Sequence, residues 1–171
     1  MAEWRSVVLR GDERLRELFD WVGSFLPGLC LRLILAFEFM QSGLEKYRGD
    51  NWFADIQMQF PFPFSVIPVD ISWFMATWFE LAGGVLLVLG LGTRYVALSL
   101  IVLTFVAAYA VHFPMEWHGL GEFWMGYAVS DDGFGNYKLP LLFIIMFIAL
   151  LGYGPGKISV DHWLARRRGL V

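Results

Sequence analysis

The chain has 171 residues, 57% of them hydrophobic and only 17% charged, with a net charge of −3. A soluble domain carries about a quarter charged residues, so an ordinary soluble enzyme and a disordered tail are excluded, and the acidic balance leaves no basic face for a nucleic-acid backbone. The single cysteine, Cys30, rules out an internal disulfide, a dithiol motif and a thiolate zinc site.

Residues 2–22 mix Trp4, Val7, Val8, Leu15, Leu18, Phe19 and Trp21 with charges. This pattern predicts an amphipathic helix on the inner membrane surface, although Gly11-Asp12 interrupts it. Four apolar stretches then approach the roughly 20 residues that cross a bilayer core: about 27–47, 71–91, 95–113 and 137–153. The last is short unless it stands upright or the bilayer thins around it. Each is read as a helix, because lipid forces backbone polar groups to pair within their own segment. No cleaved signal peptide is expected, since no small-residue cleavage site follows the first apolar run.

The expected fold is therefore all-α and polytopic. An amphipathic segment (1–26) precedes a four-transmembrane-helix bundle (27–164) and a basic tail (165–171). Nine Lys and Arg residues flank the spans on the side holding both ends of the chain, against Lys46, Arg48 and Lys138 on the other. Both termini are thus expected in the cytoplasm, with the loops about 48–70 and 114–136 outside. Those loops are acidic. They are also rich in aromatic residues: Trp52, Phe53 and the run Phe60-Pro61-Phe62-Pro63-Phe64 in one, Trp117, Phe123, Trp124, Tyr127, Phe134 and Tyr137 in the other. Aromatic rings favour the headgroup region, or here a partner protein.

Ionisable groups inside lipid cost several kcal/mol and call for a partner or a purpose. Arg32, Glu38, Glu80 and His112 are the candidates. Glu38, Gln41 and Glu45 share one helix face, which must turn toward the bundle or a hydrated cleft. Arg32 lies about 120° around the axis from Glu38, so Glu80 is its expected partner. That pair serves either as an assembly clamp or as part of a polar cavity for a headgroup, a quinone or an anion. Lys46 is expected to snorkel to the outer interface. Gly83, Gly84 and Gly90 are expected to let helices approach closely. His112, Met115 and His118 combine imidazole and thioether, which suits copper. Pro114 interrupts them, and an interfacial hydrogen-bonded His112 is the alternative. Cys30 sits in an apolar stretch where thiols are inert. Neither a nucleophile–base pair, nor a phosphate loop, nor HExxH is found. A haem held by two histidines is disfavoured, because His162 falls across the membrane from His112 and His118.

Several strings carry a family likeness. Arg32 lies in span one, which closes on Gly43-Leu44-Glu45-Lys46. Span two begins its core with Glu80-Leu81-Ala82-Gly83-Gly84 and ends in Gly90-Leu91-Gly92-Thr93-Arg94. Span three carries His112 near its end. The chain closes on Gly152-Tyr153-Gly154-Pro155-Gly156-Lys157-Ile158-Ser159-Val160-Asp161. Over about residues 28–164 the chain resembles the DoxX family of small bacterial inner-membrane proteins. The resemblance implies a four-helix bundle and a multi-pass inner-membrane location. It also implies functional weight at Arg32, Lys46, Glu80 and His112. Relatives are associated with thiosulfate:quinone oxidoreduction, thiol-linked oxidative-stress complexes and operons for metal-responsive secreted peptides.

Three readings follow. The first is an auxiliary subunit, possessing no complete redox centre of its own, that binds a quinone or lipid and supports a redox or stress system. It would act alone as a binder or as a subunit of a quinone-linked oxidoreductase. The second is a copper-handling protein facing the periplasm, and the third an assembly factor without ligand. Membrane lipids, a protein docked on the outer loops and a second copy of the chain are the expected partners.

Overall fold

A computed structural model describes residues 2–113, 119, 121, 125, 126 and 136–170, with the backbone alone for residues 2–11. Among these residues every regular element is a helix. α1 (Ala2–Gly23) runs through Gly11-Asp12 without a break. α2 (Leu26–Arg48) starts with Pro27 in its first turn, where the missing N–H costs nothing. A short α3 (Phe53–Ile56) and a tighter turn, Gln57–Gln59, lead to α4 (Val69–Leu89). α5 (Thr93–Ala107) widens over Ala108–His112 into a π-type turn. α6 (Lys138–Tyr153) and α7 (Val160–Arg167) complete the chain.

Three helices are long and apolar enough to cross a membrane: the one ending at Arg48, Val69–Leu89, and Thr93–His112. α6 is equally apolar but has 16 residues, about 24 Å at the usual helical rise. The outward side chains of the bundle include Phe37, Phe74, Phe79, Val85, Leu98, Val102, Phe105, Ile145 and Ile148. Such a surface suits acyl chains and not water.

α2 packs chiefly on α4, and α5 on α6. The core between them is built from Leu35, Ala36, Phe39, Leu87, Val96, Ala97, Leu100, Phe147 and Leu150. Phe39 meets Phe143 and Phe147 edge-to-face, with centroids 5.8 and 5.2 Å apart. Small residues set the α2–α4 distance, as expected for helices packing in lipid. A Cβ on Gly43 would lie 2.9 Å from Leu81 Cγ and 3.0 Å from Glu80 Cβ, and one on Gly84 would overlap Met40. The buried hydroxyls of Thr77 and Thr104 donate to the carbonyls of Trp73 and Leu100 one turn back.

The start of α2, the α4–α5 turn and the link from α6 to α7 meet at one end of the bundle. There the Lys157 N–H donates to Ser24 O and the Asp161 N–H to Gly90 O, 2.9 Å away. Lys46 and the α3 segment lie at the other end. His112 Nδ1 contacts Asn136 Oδ1, and the Phe113 ring packs on Tyr137 at 5.3 Å, tying the end of α5 to the start of α6.

Candidate functional site

The polar residues sort into two sites at opposite ends of α2. Toward the C-terminal end of α2, the Lys46 ammonium donates to Ser42 Oγ (2.8 Å), Glu80 Oε1 (3.0 Å) and Glu80 Oε2 (2.9 Å). Ser42 and Lys46 are one helical turn apart on α2, and Gly43 brings Glu80 of α4 within reach. All three ammonium protons are thereby used. The pair is nearly closed to solvent, with side chains 14% and 4% exposed. Lys46 does not snorkel, and Glu80 does not pair with Arg32. The expected Arg32–Glu80 bridge is replaced by Lys46–Glu80, because Arg32 sits toward the N-terminal end of α2 while Glu80 packs against Gly43 near its C-terminal end.

Arg32 instead clasps the opposite end of the bundle, at the α4–α5 turn. Its Nη1 donates to Leu87 O (3.1 Å) and Val88 O (3.3 Å), and its Nη2 donates to Ile158 O. Leu87 O also accepts the Gly90 N–H at 3.1 Å, and the carbonyls of this last turn carry the negative end of the helix dipole, which suits a guanidinium. Gly90 adopts φ 64° there. A side chain at that position would both resist the left-handed backbone and overlap Arg32 Nη1. Asp161 completes the clasp from α7. Its carboxylate accepts the Gly92 N–H (2.7 Å) and the Thr93 N–H (2.8 Å) at the start of α5. Ser159 caps α7 by accepting the His162 N–H at 3.1 Å. Arg32 and Asp161 thus each satisfy an opposite end of a helix.

The Lys46–Glu80 pair forms one wall of a cavity of about 850 Å³ between α2, α4 and α5. Its polar lining includes Glu38, Ser42, Glu45, Lys46, Asp50, Glu80 and His112. Apolar walls come from Phe39, Met75, Phe79, Val102, Val106 and Phe143. Trp52, Phe53, Phe60 and Trp73 close one end of it with edge-to-face ring contacts at 5.0–6.0 Å. Gln57 pins this roof by donating to Ile67 O at 2.9 Å.

Of the sequence candidates, Glu38, Lys46, Glu80 and His112 share this cavity, whereas Arg32 lies outside it. Gln41 is exposed and donates to Glu45 Oε1 at 3.2 Å, so it meets the cavity only through Glu45. Met115 and His118, two of the three residues considered for copper, lie outside the described residues, as does most of the second aromatic loop. Among the described residues no three His, Cys, Asp or Glu side chains cluster as a metal site would require. Ser42 and Trp73 are cavity residues that sequence patterning did not single out, and Asp50 and Phe60 stand out there only as features of the first loop. The i, i+4 spacing of Ser42 and Lys46 was the available signal.

The model of the DoxX family matches residues 28–113, a stretch that contains Arg32, the whole Lys46–Glu80 wall and His112. An uncharacterized protein of Haemophilus influenzae is 46% identical over 140 residues, covering 82% of this chain and 84% of the relative. The chain belongs to the DoxX family. No solved structure matches it. Within this DoxX protein the matched stretch holds α2, α4 and α5, which supply most of the described cavity lining, while Pro140 and Phe143 come from α6 beyond it.

Proposed function

We propose that this DoxX-family membrane protein is an auxiliary binder of a membrane-resident amphiphile, a lipid or a quinone, held in the outer-half cavity on behalf of a redox or stress-response partner. In this reading α6 is a fourth crossing, both ends of the chain face the cytoplasm of a bacterial inner membrane, and α1 lies on the inner surface. The charge bias of the loops and tail supports the orientation. The observation that carries the reading is a cavity of about 850 Å³ whose long apolar walls end at a buried Lys46–Glu80 pair. Ligand pockets combine an apolar lining with a few convergent polar groups in this way. The family's association with quinone chemistry supports the quinone class, and the absence of a catalytic constellation in the sequence supports a binding role.

The test is native mass spectrometry of protein purified in mild detergent, with Ala76→Phe introduced to fill the cavity. A lipid or quinone retained by the parent chain and lost from the filled one is the expected result. Equal retention by both would overturn the reading.

A further inference from the structure

We infer that the head of the bound amphiphile is a cation, such as a lipophilic amine or quaternary ammonium; this rests on the cavity being a ligand site. The cavity lining contains four carboxylates, Glu38, Glu45, Asp50 and Glu80, and one Lys or Arg, Lys46. Lys46 and Glu80 neutralise each other, and the ammonium has spent its three protons on Ser42 and Glu80. Among the described residues of the lining no second Lys or Arg remains for an anionic head, while three further acidic side chains line the space. Glu38, Glu45 and Asp50 are each exposed there, and like charges gathered together favour a cation over an anion.

Glu38 gives this imbalance a position. It stands near the middle of α2, which crosses the membrane, and among the described residues nothing hydrogen-bonds or ion-pairs with it. An ionised group at that depth is expensive without a counter-charge, and a cationic ligand supplies one. Glu38 is also both exposed and part of the lining. The cavity therefore opens at mid-helix, where an alkyl tail can pass into the bilayer. The lining also includes the aromatic residues Trp52, Phe53 and Trp73, and aromatic rings near a positive charge attract it.

The experiment uses the full chain in phosphatidylcholine nanodiscs and three probes in equilibrium dialysis against empty discs. Tetraphenylphosphonium and tetraphenylborate share a shape and differ in sign, and a short-chain benzoquinone is neutral. Saturable binding of the phosphonium, tighter than the borate by about tenfold or more, is expected from ring and carboxylate attraction. The pair Glu38→Gln with Glu45→Gln should weaken phosphonium binding about tenfold at an unchanged melting temperature, while Glu38→Asp should preserve it. Borate binding as tight as the phosphonium, or phosphonium binding indifferent to the double substitution, overturns the inference. Binding of the quinone alone would remove the cationic head and keep the cavity as a ligand site. Binding of none of the three would remove both.

Discussion

Lys46 and Glu80 form the one ion pair in the described bundle that depends on a glycine for its closeness. Removing one partner of a buried pair costs about 3–5 kcal/mol, whereas replacing both with apolar groups of similar size is often neutral. Lys46→Met and Glu80→Leu should therefore each lower the melting temperature in detergent, and the double variant should recover most of the loss. A double variant no more stable than the worse single one would show that the pair is not the unit that matters. At Arg32 the shape of the cation matters as well as its sign. The guanidinium fork spans Leu87 O, Val88 O and Ile158 O, and an ammonium is a point charge that cannot bridge them. Arg32→Lys should lose about 1.5–3 kcal/mol for each charged hydrogen bond abandoned, read as a lower unfolding midpoint with charge conserved.

At the scale of helices, two contacts decide the arrangement. Gly84 sits directly on Met40 of α2, so Gly84→Leu should pry α2 from α4 and leave little folded protein in size-exclusion profiles. Gly23, by contrast, has nothing within 4 Å of its missing side chain, and Gly23→Ala should be tolerated. α7 is held by Asp161 rather than by burial, since it has no buried residue. Asp161→Asn keeps the shape but weakens two charge-assisted bonds to the α5 amides. Hydrogen exchange should then rise at Gly92 and Thr93 and along Val160–Arg167, with α4 unaffected. Much of this level was legible in the sequence. The apolar runs gave the helices within a few residues, because a bilayer-sized apolar segment has few alternatives. The pairing of charges was not legible. Helical periodicity tells which residues of one helix share a face, but the relative height of two helices is set by close contacts such as Gly43 on Glu80. That height separates Arg32 from Glu80 and gives Glu80 to Lys46. The roof was hidden for a related reason: its aromatic residues read equally well as interface anchors, and only the fold of residues 51–73 turns four of them inward.

For the whole molecule, the arrangement implies a direction. The cavity and its roof lie at the Lys46 end, and the Arg32–Asp161 clasp lies at the other. Met58 is 90% exposed and Phe62 82% exposed in the segment that leads to α4, so the Lys46 end carries bare apolar side chains while the Arg32 end is tied by the clasp. In a Cys30→Ser background, Met58→Cys should react with an impermeant maleimide in intact spheroplasts, and Arg94→Cys only after the membrane is opened. The reverse pattern would invert the orientation proposed above.

The clasp also has an order in time. Arg32 emerges from the ribosome 126 residues before Ile158, with Asp161 later still. Until they arrive, the guanidinium must sit at the bilayer edge with only the α4 carbonyls to hold it, and the first amides of α5 have no acceptor. An interrupted translation product ending before residue 158 would carry that defect permanently, a mark by which a membrane quality-control protease could distinguish unfinished copies from finished ones.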